Sequence, residues 1–404
     1  MDKLARRIFA ASAVLSLTGC GLQPATPAAQ SLEQSISRRT PAVDKTEFFA
    51  NGRNIRFTRN GGAATNFFIK GVDYAPSPIC SGSIGNPLGN NESALWQRDL
   101  PQLRNLGANA VKVYNVDLNV GPIDRFLTAA YNGGNQPVYV VLSIFFPGAA
   151  ALNSGAVADL ANQYKRLAST YGASPAVLGF SIGSEVNADN LVTQPAFWQG
   201  MNAIADGARQ GLQQAGARKI ITTSMVDGYN GDTKIWNPIS YGEQYGFKID
   251  AWGINVYRGK SFARANLWTQ AQQYTTKPFL LGEWGAPEAY HPNGDPNKAV
   301  EWPAGKVATM TDYISGLDKD LYQNSTANGG VNSGGFIFEW SDEWWKAEKG
   351  DNCSHLPNGV VNKNFPDGFN DEGWYGLNSI AVGNPNVLTQ RPAFATLQID
   401  WSTQ

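Results

Sequence analysis

Val177–Asn187, VLGFSIGSEVN, is the stretch on which the reading of the chain turns. Val177 to Ile182 is an apolar run short enough for a strand buried on both faces, and it ends in a small-residue turn that delivers one carboxylate, Glu185. Parallel barrels keep their chemistry at such strand ends. Pro278–Gly285, PFLLGEWG, repeats the design, with Glu283 at the end of its own apolar run and Trp284 behind it. Two acids at two strand ends suggest a pair facing one substrate. Glycoside cleavage needs such a pair, because one acid protonates the leaving oxygen while the other attacks the anomeric carbon or activates water.

Working outward, short apolar runs alternate with helical spacing. Candidate strands are Phe67–Val72, Ala110–Tyr114, Val138–Phe145, Val177–Ile182, Lys219–Met225, Ala251–Tyr257, Phe279–Gly282 and Gly335–Trp340. Helical spacing appears over Glu92–Leu106, around Ile123–Tyr131, over Val157–Tyr171, from Pro195 to about Ala215, and near Ala263–Thr275 and Ala304–Tyr322. Runs apolar on both faces and separated by helices are the mark of parallel strands covered on both sides. Eight such units predict a (β/α)8 TIM barrel with long loops on its C-terminal face. Asn230–Lys248 reads as a long loop. An open doubly wound sheet is disfavoured, since no glycine-rich phosphate loop follows the first strand. Upstream, Asn51-Gly52 between Phe48-Phe49 and Ile55-Arg56-Phe57 predicts a hairpin, and Asn60-Gly61-Gly62 a further turn, so a small β cap precedes the barrel.

The chain has 404 residues, a formal net charge of −1 and only 16% charged residues, which leaves no basic field for nucleic acid. Twelve Trp and fifteen Tyr suit a protein that stacks on sugar rings, although aromatic residues also serve as core.

Lys3, Arg6 and Arg7 precede an apolar run from Ile8 to Leu17, the charge and length of a secretory signal. Leu17-Thr18-Gly19-Cys20 resembles the bacterial lipoprotein cleavage site, which implies removal of residues 1–19 and a lipid anchor on Cys20. Residues 20–43, rich in Pro, Ala, Gln, Ser and Thr, read as a flexible tether, with the folded domain at 44–404. The expectation is an exported, membrane-anchored lipoprotein. Cys80 and Cys353 remain as an even pair for an oxidising compartment and predict one disulfide. They fall in the loops after strands one and eight, which barrel closure makes neighbours.

The carboxyl ends of the strands collect Asp73 and Tyr74, Tyr114 and Asn115, Ser184, Glu185 and Asn187, Asp227, Tyr257, Glu283 and Trp284, then Glu339, Trp340 and Asp342 within EWSDEWW. Phe67–Tyr74 (FFIKGVDY), Val111–Asp117 (VKVYNVD) and Gly253–Tyr257 (GINVY) resemble the β-1,3-glucanosyltransferase family of retaining glycoside hydrolases, and more broadly the clan of retaining (β/α)8 glycosidases. The likeness lies in short motifs from about residue 67 to 285. It implies Glu185 as acid/base, Glu283 as nucleophile, Tyr257 as hydrogen-bond donor to the nucleophile and Trp340 as floor of the subsite at the cleaved bond. The pattern is broken at Ser184, where asparagine is usual, and at Lys112 in place of arginine, which loses the planar fork.

The expected activity is double displacement on a β-glucan-type carbohydrate, by hydrolysis or transfer, with the two carboxyls roughly 5 Å apart. No cofactor is expected and no metal site, since His291 and His355 form no constellation with the cysteines; a monomer is expected. The rival reading is a non-catalytic glycan-binding lipoprotein on the same barrel, which would leave a glycan intact. A structural lipoprotein without ligand would hold the two glutamates far apart.

Overall fold

The computed structural model describes residues 44–187, 191–227, 237–262, 266–303, 310–346, 353–365, 367–381 and 384–404. The signal, the tether and Cys20 lie outside the described residues. Eight parallel strands close into a barrel in sequence order: Ile69–Asp73, Ala110–Lys112, Tyr139–Ile144, Val177–Ser184, Ile220–Val226, Trp252–Asn255, Phe279–Trp284 and Asn332–Ile337. Strand seven pairs with both strand six and strand eight, and strand eight with strand one, which completes the circle. Nearly every strand residue is buried, as expected where helices cover the outside and side chains fill the lumen.

Helices Ser93–Leu106, Asp124–Tyr131, Ser154–Tyr171, Pro195–Gln214, Leu267–Tyr274 and Met310–Gln323 follow strands one to four, six and seven. Pro195 sits in the first turn of its helix, where a missing N–H costs nothing. Gly207 and Gly211 let that helix lie against Ser154–Tyr171, and Gly200 clears the Ala151 carbonyl in the turn before Ser154. A Cβ at Gly207 would come within 2.2 Å of the Ala161 carbonyl.

Asn237–Gln244 is a helix within the stretch read as loop. A glycine within a helix lowers its intrinsic propensity. In the fold Gly242 packs against two indoles, and a Cβ there would lie 2.4 Å from Trp252 and 3.0 Å from Trp198. The tertiary contact overrides the propensity.

The N-terminal cap is a three-stranded antiparallel sheet, Thr46–Asn51, Asn54–Arg59 and Thr65–Asn66. Its tight turn is Gly52-Arg53, one residue later than expected, because Asn51 pairs with Asn54 across the hairpin and Gly52 takes the positive φ of 56°. The cap closes the amino end of the barrel. Phe48 meets Phe57, Phe67 and Tyr139 in an aromatic cluster, and its N–H donates to Arg218 O.

After strand eight the chain makes an excursion over the carboxyl rim, with two small hairpins, Val360–Val361 with Phe369–Asn370 and Asn378–Ala381 with Asn384–Gln390. The final helix, Pro392–Thr403, then returns to the barrel wall. Trp401 Nε1 donates to Asp318, and Lys70 Nζ donates to Trp401 O. Cys80 and Cys353 form a disulfide, 273 residues apart in sequence, joining the loops after strands one and eight. Among the described residues no helix is long and apolar enough to cross a membrane.

A crosslink across so long a loop restricts the unfolded chain strongly. Replacing both cysteines by serine is expected to lower stability by about 2–5 kcal/mol, read from the midpoint of denaturant unfolding.

Candidate active site

Strand four ends in a sharp turn. Gly183 has φ +75°, and a Cβ there would come within 2.6 Å of Val186 Cγ1. Glu185 itself has φ +52°, a left-handed conformation that costs a non-glycine residue about 1–3 kcal/mol. The turn is held by Glu185 N–H donating to Ser224 O at 2.6 Å, and by Asn187, which accepts from Val226 N at 2.8 Å and donates to Val226 O at 3.0 Å. Glu185 is thereby lifted into solvent at the barrel mouth.

Glu283, on strand seven, is buried instead. Tyr114 donates its hydroxyl to Oε1 at 2.8 Å and Tyr257 to Oε2 at 3.0 Å. Lys112 Nζ stands 3.6 Å from Oε1 and 3.0 Å from Asp73 Oδ1. Asn255, the strand-six partner of Glu283, donates Nδ2 to Glu185 Oε1 at 2.9 Å, so one side chain on strand six touches one glutamate and pairs through its backbone position with the other.

The electrostatics of the site raise the proton affinity of Glu185. Solvent reaches Glu185, yet desolvation by the surrounding protein, followed by the negative charge of Glu283, pushes its pKa up to about 7; the Asn255 donor opposes this. Burial works against the charge of Lys112, but Asp73 and Glu283 outweigh it and move the ammonium above its ordinary range. Full burial drives the Asp73 carboxyl well up, with Lys112 in opposition. Phe338 and Tyr375 wall this pocket, with Phe338 edge-on to Tyr114, Tyr257 and Tyr375.

Glu185, Glu283, Asp73, Tyr114 and Tyr257 come together at the barrel mouth, and half-buried Ser184 adjoins Glu185. Several other expected site residues are engaged in the fabric of the fold. Tyr74 points outward under helix Ser93–Leu106 and donates to Asp99 at 2.9 Å. Trp340 is fully buried beside Phe394 of the last helix, so the expected subsite floor is a wall packing residue. Trp284 is buried against Phe262. Strand alternation sends Tyr74 and Trp284 away from the lumen, each being one step past a lumen-facing carboxylate, Asp73 and Glu283.

Asp342 is held by Arg391 through two hydrogen bonds, at 2.6 and 2.7 Å, and accepts from Gly376 N–H. Asn115 stitches loops together, donating to Gly85 O and accepting from Phe145 N–H, while Asn187 is spent on Val226. Glu339 is fully buried, with burial and then the charge of Glu343 driving its pKa well up, and it offers no surface to a sugar. Asp227 is held by Arg258 at 2.7 and 2.8 Å.

Three residues of the site were missed. Asn255 lies two positions before Tyr257, so the period of a strand already placed it on the same face. Phe338 is likewise two positions before Trp340, but strand eight ends at Ile337 and the chain beyond it is irregular, so the two side chains point in different directions. Tyr375 arrives from the excursion after strand eight and carries no local signal.

His291, Asp367 and Asp371 do converge, but on hydrogen bonds. His291 Nδ1 meets Asp295 O and Nε2 meets Asp371 Oδ1, both at 2.7 Å, and Asp367 accepts from the backbone N–H groups of His291 and Phe369. A separation of 2.7 Å is too short for two ligands of one ion with bonds of about 2 Å.

A profile of the glucanosyltransferase family matches residues 42–346. The 1,3-beta-glucanosyltransferase GAS5 of Saccharomyces cerevisiae is 25% identical over 282 residues, which is 67% of this chain and 55% of that protein. Gas1 of Schizosaccharomyces pombe, also named a 1,3-beta-glucanosyltransferase, is 25% identical over 246 residues, 57% of this chain and 43% of that one. The chain thus spans about half the length of these curated relatives. In fold it is similar to Saccharomyces cerevisiae Gas2p solved in complex with laminaripentaose, with TM-score 0.60 at 19% identity over 89% of this chain and 69% of that one. A GH2 beta-galacturonidase from Eisenbergiella tayi, with TM-score 0.56 at 13% identity over 89% and 55% of the two chains, has the same barrel.

Since the charge of Glu283 holds the Glu185 pKa up, Glu283→Gln is expected to lower it. Carbon-13 NMR titration of the glutamate side chains measures this: a resonance near pH 7 in the wild type that titrates at lower pH in the variant.

Proposed function

The chain belongs to the glucanosyltransferase family, and from that premise we propose that it is a retaining enzyme cleaving or transferring β-glucan chains, on β-1,3 linkages such as its named relatives act upon. The observation that carries the reading is the pair of glutamates at the ends of strands four and seven, linked through Asn255, with the Glu185 proton affinity raised. Glu283, with a phenol on each oxygen, attacks the anomeric carbon. Glu185, whose raised pKa keeps it protonated near neutrality, gives its proton to the departing oxygen, then serves as base toward water or a sugar hydroxyl.

Lys112 and Asp73 sit behind the nucleophile and hold it in place. Half-buried Ser184, Tyr114 and Tyr257 border the sugar that is cleaved. We take residues 1–19 as the export signal, 20–43 as a tether from a lipid on Cys20, and 44–404 as a monomeric catalytic domain. The basic and apolar pattern of the first seventeen residues and Leu17–Cys20 support export and anchoring.

Incubation of the purified protein with laminari-oligosaccharides and a panel of other β-glucans tests the reading. Wild type is expected to release or transfer β-1,3-glucan with retention at the anomeric carbon, seen by proton NMR. Glu283→Ala is expected to lose at least about a thousandfold in kcat/KM with unchanged thermal unfolding, and Glu185→Ala about 10²–10⁴-fold. Full activity in Glu283→Ala rejects the assignment, and an intact glycan with wild type returns the binding-only alternative.

Because Glu185 must carry a proton to start the reaction and its pKa lies at about 7, the rate is expected to fall above about pH 7. A kcat/KM profile flat to pH 9 would remove Glu185 from the acid role.

A further inference from the structure

We propose that Ser224 and Asn255 form a positioning relay that fixes which carboxyl oxygen of Glu185 carries the transferable proton, namely Oε2. The inference rests on the catalytic reading above and adds to it two residues outside the glutamate pair.

Asn255 is buried, and both ends of its amide are engaged. Nδ2 donates to Glu185 Oε1 at 2.9 Å, and Oδ1 accepts from the Ser224 hydroxyl at 2.5 Å. The opposite amide orientation would set Oδ1 against Glu185 Oε1, two acceptors in contact whenever the carboxyl is ionised. Ionisation is obligatory once per cycle, after the proton has been given. The ionised carboxylate therefore sets Nδ2 toward Glu185, and the Ser224 hydroxyl satisfies the other end of the amide by donating to Oδ1. An amide has no proton to gain or lose across the working pH range, so Oε1 faces an N–H in both states of the carboxyl and the proton resides on Oε2.

The fold makes room for this contact. Strand seven carries glycine at 282, where a Cβ would lie 2.4 Å from Ser224 Oγ and 2.6 Å from Asn255 Oδ1. Ser224 is also the residue whose backbone carbonyl accepts the Glu185 N–H, so strand five holds the glutamate at its backbone directly and at its carboxyl through Asn255. A serine hydroxyl and an amide buried together with no other task among the described hydrogen bonds, beside a glycine that only just clears them, amount to a built contact.

In the first half-reaction a Glu283 oxygen bonds to the anomeric carbon as the bond from that carbon to the leaving sugar breaks. The electron pair stays on the glycosidic oxygen, which takes the proton from Glu185 Oε2 and leaves Glu185 ionised. In the second, Oε2 accepts a proton from the incoming water or sugar hydroxyl while that oxygen displaces Glu283. Oε1 keeps its N–H throughout.

Asn255→Leu and Ser224→Ala in the full chain test the relay. The other groups whose charge reaches Glu185 are Glu283 on strand seven, Lys346 and Glu372 from the segments after strand eight, and Lys112 on strand two, with the Tyr257 hydroxyl nearby; all stay in place. On laminari-oligosaccharide, Asn255→Leu is expected to lose about 10–100-fold in kcat/KM, with the alkaline limb of the profile moved up by about one pH unit, since a donor that favours the ionised form is gone.

On a 2,4-dinitrophenyl β-glucan oligomer, whose leaving group needs no proton, the first-turnover burst is expected to be nearly unchanged. Ser224→Ala is expected to move the same quantities in the same direction by less. Equal losses on both substrates with an unmoved alkaline limb would mean that Asn255 serves only the fold, and overturn the relay. An unmoved limb in Ser224→Ala would overturn the serine's part.

Titration of Glu185 by carbon-13 NMR in wild type and both variants, with melting curves as a folding check, reads the relay without catalysis. If wild type turns over no glucan, the catalytic reading falls. The relay's electrostatic half still stands or falls on whether the Glu185 resonance moves upward.

Discussion

A carboxylate closed off from water must find its donors inside the protein, and in Glu283 that requirement organises the barrel mouth. Its two oxygens accept from Tyr114 and Tyr257, which come from strands two and six on opposite sides of strand seven's circle. Only a closed barrel brings those ends to one point. Phe338 and Tyr375 then fix the two phenols by edge contacts, and Lys112 supplies the nearby positive charge, itself 3.0 Å from Asp73. Every member of this set is held by at least one other, so the Glu283 carboxylate is fixed in place by the fold itself.

Glu185 is the opposite case. It stands on a left-handed turn in reach of solvent, with one amide donor, and its proton affinity is raised by its surroundings and by Glu283. Two residues of one type are thus separated by environment into a group that accepts two phenolic hydrogen bonds and a group poised to exchange a proton near neutrality. The coupling runs between the two: the negative charge of Glu283 helps hold the Glu185 proton in place.

The barrel was legible because its signal is periodic and local. Val177–Ile182 and Phe279–Gly282 read as buried strands from their apolar runs alone, and the two glutamates stood where those runs stop. What stayed hidden was direction. Tyr74 and Trp284 sit at strand ends as Tyr114 and Tyr257 do, but one step of the pleat turns an aromatic from the lumen to the helices, and Trp340 follows an irregular stretch past strand eight. The helix Asn237–Gln244 falls in a stretch that reads as loop, and it holds a glycine, Gly242, that closely approaches Trp252 and lowers local helix propensity. Tyr375 had no readable signal, because its place depends on how a long excursion folds back.

That excursion is part of the site, and its anchoring explains the buried ion pair beneath it. Asp342, just after strand eight, and Arg391, at the head of the last helix, meet through two hydrogen bonds, and Arg391 also donates to Gly376 O at 2.6 Å. Gly376 follows Tyr375 directly, and a Cβ there would lie 2.4 Å from Asp342 N, so backbone, ion pair and glycine form one tight junction. Such a pair adds little net stability, because two charges give up their hydration to form it, yet removing one partner alone costs about 3–5 kcal/mol. Its effect is therefore to forbid alternatives: the segment from Asp371 to Asn378 cannot shift without stranding a charge. Tyr375 is the residue this junction places against Tyr257, and through Tyr257 the geometry around Glu283 depends on a salt bridge that touches no part of the barrel lumen.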